Sequence, residues 1–89
     1  MEFDDEVVRD VVTRLRRAQG QIGGVISMIE EGRSCSDVVT QLAAVAKAVD
    51  RAGFKIVASG LQYCHDAEAR GEQPTLDRAQ LEKLFLSLS

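Results

Sequence analysis

From residue 7 onward, apolar side chains return at intervals of three and four. Val8, Val11, Leu15, Ala18, Ile22, Val25 and Ile29 form an unbroken stripe over about three heptads. Charged and polar residues fill most of the opposite face. This period predicts a first helix over about residues 5–31, with Gly32 as its stop. Gly20, Gly23 and Gly24 interrupt it at roughly 1 kcal/mol each against Ala, and read as seats for tight helix–helix packing in preference to a functional hinge. Ser34-Cys35-Ser36-Asp37 then reads as a capping box, with Ser34 at the N-cap and Asp37 three residues on. It opens a second helix over about residues 35–70, stopped by Gly71. The main apolar stripe there is Cys35, Val38, Leu42, Val45, Val49, Ala52, Ile56 and Tyr63, flanked by a second row of Val39, Ala43, Ala46, Val57, Leu61 and Cys64. A surface this broad cannot be covered by one partner helix of about 25 residues, so it calls for another chain. Pro74-Thr75 and Asp77 introduce a short third helix over about residues 76–87, with Leu81, Leu84, Phe85 and Leu88 apolar. The expectation is an all-α, oligomeric protein with one helical domain over residues 1–89.

Composition agrees with that class. One Pro, no Trp and four aromatics are poor material for a β-sandwich or barrel. No apolar run approaches the ~18–20 residues that span a bilayer, and the acidic start lacks the basic region of a signal peptide, so no membrane association is expected. Two cysteines are too few for a disulfide framework, which makes the reducing cytoplasm the default location. Eighty-nine residues leave little core for one chain, which again favours assembly.

The net charge of −3 argues at first against nucleic acid, but the charge is unevenly placed. Residues 1–10 carry five acids against one Arg, residues 11–60 seven Lys/Arg against four acids, and residues 61–89 three against five. The middle is therefore basic between two acidic ends. Lys47, Arg51 and Lys55 lie at i, i+4, i+8 on helix two, and Arg14 and Arg17 are neighbours on helix one, with Arg9 and Arg16 nearby. Two such rows on adjacent helices could form a phosphate-binding strip; alone they also fit ordinary solvated faces. No helix-turn-helix, zinc-finger or RNA-binding signature is present. Nothing assembles a nucleophile, a base and an oxyanion site, so an enzyme is not expected, nor is a cofactor.

Cys35 and Cys64 are 29 residues apart. On an ideal helix that leaves them about 20° from alignment and about 44 Å apart along the axis. A disulfide needs Cα atoms within about 7 Å, so a continuous helix keeps the two apart in one chain. An antiparallel neighbour can set Cys35 beside the partner's Cys64 across a two-fold axis. Cys35 also sits in the first turn of its helix, a place that favours negative charge, and an attacking thiol facing a resolving one suits a redox or sulfur sensor. Two packed structural cysteines remain the bland reading. Two thiolates could also take Cu(I), whereas four-coordinate zinc would lack ligands. His65 lies about 100° from Cys64 and about 120° from Cys35 around the helix and reads as a surface residue.

The run Arg14-Leu15-Arg16-Arg17-Ala18-Gln19-Gly20-Gln21-Ile22-Gly23-Gly24-Val25, followed by Met28, Glu30-Glu31-Gly32, Cys35-Ser36-Asp37-Val38-Val39-Thr40-Gln41-Leu42-Ala43-Ala44 and Cys64, resembles the CsoR/RcnR family of bacterial transcriptional repressors over about residues 7–66. The resemblance implies a three-helix protomer, an antiparallel dimer and a tetramer of two dimers, which binds double-stranded operator DNA through helices one and two without a helix-turn-helix. Arg14 and Arg51 match the family's DNA-contacting arginines; Arg17 and Lys55 join them by position. Copper-sensing members of the family carry Cys, His and Cys, with the His four residues before the second Cys. Here that position is Gly60, and Ser34 stands where those members have Tyr. Nickel and cobalt sensors use several histidines, and formaldehyde sensors keep the His and lack the second Cys. Two cysteines without the His resemble the CsoR-like sulfurtransferase repressors (CstR), although that branch carries Asn at the position of Gly60. This implies sensing of persulfide or polysulfide: Cys35 attacks sulfane sulfur, and Cys64 of the neighbour resolves it into a di-, tri- or tetrasulfide bridge that releases DNA. A Cu(I)-responsive repressor of the same family and a helical scaffold with structural cysteines are the alternatives.

Overall fold

Asp4 starts the first helix: its Oδ1 accepts a hydrogen bond from the backbone N–H of Val7 at 2.9 Å, and Asp5 and Glu6 follow in the first turn beside the positive end of the helix dipole. The computed structural model describes residues 3–88; Met1, Glu2 and Ser89, which the sequence reading includes in its domain, lie outside the described residues. Helix α1 runs over Asp5–Glu30. It ends at Gly32, whose φ of 74° is readily reached without a Cβ. The Gly32 N–H donates to the Ile29 carbonyl and the Arg33 N–H to the Met28 carbonyl, the Schellman pattern that satisfies the last free carbonyls. Helix α2 runs over Cys35–Ala69. Ser34 Oγ accepts from the Asp37 N–H at 3.2 Å, as expected of the cap. The Asp37 carboxylate, shorter than a Glu, turns to Arg33 at 3.4 Å. Gly71, φ 75°, closes α2 with the same Schellman pattern.

Helix α3 runs over Arg78–Leu88, starting two residues after the expected position 76. Asp77 sets the start: its Oδ1 accepts from the Gln80 N–H at 3.3 Å and its carbonyl accepts from the Leu81 N–H. Pro74 and Thr75 stay in the connecting loop. The all-α, three-helix expectation holds.

Helices α1 and α3 each pack on α2 and not on one another. The short turn between α1 and α2 makes them antiparallel, in a register that sets Asp10 opposite Lys55. The described protomer measures 58 × 25 × 12 Å, so it is about one helix thick. This thinness divides the apolar stripes. Val11, Ala18 and Val25 of α1 are buried, as are Val45 and Ala52 of α2. Leu15, Ile22 and Ile29, the other half of the α1 heptads, are exposed, and so are Leu42 and Val49 of α2. Cys35, seven residues before Leu42, belongs to the exposed row.

The glycines pack differently from the sequence expectation. Beyond the adjoining residues and nearby backbone of α1 itself, no described atom lies within 4 Å of where a Cβ would stand at Gly20, Gly23 or Gly24, so none of these is a packing seat within the protomer, and α1 passes through them unbroken. The close approaches are at Gly53 and Gly60. A Cβ there would lie 3.1 Å from Leu88 Cδ1 and Leu81 Cδ1, respectively. Two glycines seven residues apart thus receive two leucines seven residues apart, in reversed order, which lays α3 antiparallel on α2. Phe54 and Phe85 meet edge-to-face at 5.2 Å, and Arg78 makes two hydrogen bonds to the Glu68 carboxylate.

Candidate functional site

The two cysteines stand at opposite ends of one continuous helix and in opposite surroundings. Cys35 opens α2 and is exposed. Cys64, five residues from the end of α2, has 0% of its surface accessible. Its thiol donates to the Leu76 carbonyl at 3.8 Å, beneath the loop that leads into α3. The expectation that an ideal helix points both thiols the same way therefore omits what covers each end: α3 and its loop shield Cys64, and among the described residues nothing shields Cys35. Both thiols are free, and the unbroken helix keeps them about 44 Å apart.

Position 60 is filled from outside. The side chains of Leu76 and Leu81 occupy the space that a Cβ at Gly60 would enter. His65 is exposed. Among the described residues, no group of three or more His, Cys, Asp or Glu side chains could hold a metal ion. A three-ligand His/Cys copper site does not fit the described residues of this protomer, whose two thiols stand one at each end of α2.

Arg14 and Lys55 meet across the α1–α2 seam at Asp10, with Arg17 three residues from Arg14 on α1 and Arg51 four residues from Lys55 on α2. Arg14, Arg17, Arg51 and Lys55 are all exposed, and the antiparallel register sets the turn bearing Arg14 alongside the turn bearing Arg51. Arg17 and Arg51 have no ion-pair partner among the described residues. Arg14 and Lys55 share one: Asp10 Oδ2 lies 3.1 Å from Arg14 Nε and 3.1 Å from Lys55 Nζ. Hydrogen bonds first from Lys55 and then from Arg14 hold the Asp10 carboxyl below its ordinary value. The sequence expectation does not include Asp10. Its spacing four residues before Arg14 signals the first contact, while the contact with Lys55 depends on how the two helices register.

Residues 8–87 match the family described as metal-sensitive transcriptional repressors. The chain is 41% identical over 51 residues to the copper-sensing transcriptional repressor RicR of Mycobacterium tuberculosis, covering 57% of this chain and 53% of that protein. It is 34% identical over 67 residues to the copper-sensing transcriptional repressor CsoR of Mycobacterium ulcerans, covering 72% and 57%. With the uncharacterized protein YrkD of Bacillus subtilis it shares 51% identity over 37 residues, 42% of this chain and 59% of that one. The chain thus spans little more than half the length of these curated relatives. No solved structure matches. Matched over nearly its whole length, the chain belongs to the metal-sensitive transcriptional repressors, the CsoR/RcnR family that its sequence resembles.

Proposed function

We propose that this chain is a cytoplasmic DNA-binding repressor, switched by an effector that acts at a thiol pair made from Cys35 of one protomer and Cys64 of the next. Family membership supports duplex DNA as the partner. Arg14, Arg17, Arg51 and Lys55 supply the phosphate contacts, and loss of Arg51 lowers the salt dependence of binding.

The shape of the protomer supports assembly. It exposes 6433 Å², where a compact protein of this mass exposes about 5,100 Å². Its radius of gyration is 17.0 Å, against about 12 Å for a compact chain of this length. The open apolar row of Leu15, Ile22, Ile29, Leu42 and Val49 is the surface a second copy covers. An antiparallel copy on that row carries its Cys64 end toward Cys35, and two such dimers form the tetramer.

The effector is a soft, thiol-directed species, and two readings share the same pair. The comparisons favour Cu(I), because RicR and CsoR are both named copper-sensing; thiolates select that ion, and a bridging site here has two of them. The second reading, reactive sulfur, is favoured by one observation: position 60 carries no ligand and its space is filled by Leu76 and Leu81. In that reading the Cys35 thiolate attacks the sulfane sulfur of a persulfide RSSH. This gives a Cys35 persulfide and releases RS⁻. The partner's thiolate then attacks the Cys35 sulfur and expels HS⁻, leaving a disulfide; further sulfane sulfur taken up first leaves a tri- or tetrasulfide. Two thiols are oxidised and one sulfane sulfur is reduced to sulfide.

Intact-protein mass spectrometry after treatment with an organic persulfide, beside a Cu(I) titration, separates the two. Tight stoichiometric Cu(I) binding without polysulfide product establishes the copper reading. Interprotomer bridges with added sulfur and weak copper binding establish the sulfur reading. Absence of both leaves the helical scaffold with structural cysteines.

A further inference from the structure

Of the four basic residues assigned to DNA, two are free and two are tied to a single acid. Among the described residues, Asp10 is the one acid that forms an ion pair with a cation of the α1 or α2 helix. It projects from α1 across the seam to α2, and one of its oxygens lies at the same distance from the Arg14 guanidinium and the Lys55 ammonium. Each contact is solvent-exposed, a class of ion pair that stabilises a fold little. Its effect on a phosphate-binding surface is larger. A carboxylate between two cations stands where a phosphate oxygen would bridge them, and it reduces their joint charge from two to one.

We propose that Asp10 is a positioning residue of the DNA-binding face, an internal anion that holds Arg14 and Lys55 side by side and that duplex phosphate must displace. The inference rests on the reading of these residues as a DNA interface. It assigns Asp10 a role in discrimination. A strip held at reduced charge binds weakly to phosphate at large, and the two cations are released only where a well-fitted duplex also engages Arg17 and Arg51. Nonspecific binding to duplex is dominated by counterion release, so it responds directly to this one charge.

The test measures binding of the full chain to a random-sequence duplex and to its own upstream DNA across a salt series, by fluorescence anisotropy. Asp10→Asn removes the charge at constant size, and Asp10→Glu keeps it. For Asp10→Asn the random-sequence affinity rises. The log–log salt slope steepens by about 0.9 for each protomer in contact, so the gain over wild type grows about eightfold per tenfold dilution of salt. The preference for upstream DNA falls, and Asp10→Glu restores wild-type slopes. A merely structural Asp10 would lower the melting temperature of Asp10→Asn and leave the slope alone. An unchanged or shallower slope in Asp10→Asn, with wild type still binding and Arg51→Ala still reducing its slope, overturns the role of Asp10 alone. If wild type shows no salt-dependent binding to either duplex, the DNA interface falls and Asp10 with it.

Discussion

Cys35 and Cys64 share a residue type and differ in reach, so they should differ in rate. With an alkylating reagent, Cys35 is modified on mixing, whereas Cys64 waits for the loop at Leu76 and α3 to lift. Peptide mass spectrometry over a time course checks this; equal rates would show that α3 does not shield the thiol. Leu81→Ala removes the side chain seated over Gly60 and accelerates Cys64 modification without changing Cys35. Asp10 carries a second prediction. Its carboxyl is held below the ordinary 3.8 by Lys55 and Arg14. A lowered carboxylate value favours the fold above the unfolded value and loses that contribution as pH falls through the folded one. The small stability difference between wild type and Asp10→Asn should therefore be constant near neutrality, begin to fall as pH drops to the ordinary 3.8, and vanish only in stronger acid, below the lowered folded value. A thermal-melt series over pH reads it, and a difference that persists unchanged into strong acid would contradict the ion pairs. At this scale the sequence is legible for which residues carry chemistry, because Cys, Arg and Lys are conspicuous. It is silent on the contact of Asp10 with Lys55 and on the burial of Cys64, because both depend on residues 12 or more positions away.

Among the elements, α3 is the one whose docking depends on missing side chains. Gly60→Ala adds a Cβ that Leu81 must yield to, while gaining about 1 kcal/mol of helix propensity, so the two effects oppose one another. Gly60→His has no such balance. The ring displaces Leu76 and Leu81, and overpacking of this kind costs about 1–3 kcal/mol. The variant should melt lower than wild type, exchange the amides of residues 78–88 faster, and expose Cys64 to alkylation. Unchanged exchange in α3 would mean that the helix tolerates a ligand side chain at position 60. The helix ends were readable because capping is local chemistry: Ser34, Gly32 and Gly71 act within a few residues of their own positions. The start of α3 was misplaced by two residues because Pro74, Thr75 and Asp77 all carry starting signals, and only the hydrogen bonds of Asp77 decide among them. The glycines of α1 receive no neighbour within the protomer, whereas Gly53 and Gly60 of α2 do. A glycine inside a helix signals close approach without saying from which side, and α1 makes no such approach within the protomer.

As a whole molecule, the protomer leaves half of each heptad stripe uncovered, and this is where assembly is tested. Ile22→Lys or Leu42→Glu places a charge in the open row while leaving Val11, Ala18, Val25, Val45 and Ala52 packed as before. Sedimentation should then show smaller species than wild type, and wild-type melting should rise with protein concentration. A wild-type chain that sediments as a single protomer, with a concentration-independent melt, would remove the partner that the thiol pair needs. The periodicity gave both halves of each stripe without dividing them. A period of three and four is the same whether one neighbour or two will cover the face, so the number of neighbours is a fact about thickness, which only the folded chain displays.

The unbroken course of α2 sets a mechanical condition on any signal. Cys35, Arg51, Lys55 and Cys64 are mounted on one shaft of about 52 Å with no joint between them, since even Gly53 and Gly60 leave it continuous. Such a shaft has no elbow at which a chemical event near one end could fold away the grip near its middle. On the proposed function, the signal passes as a roll or slide of entire shafts against their neighbours. The expected trace of the switch is therefore a change in spacing between protomers at constant helix content, which interprotomer spin-label distances would register while circular dichroism stayed still.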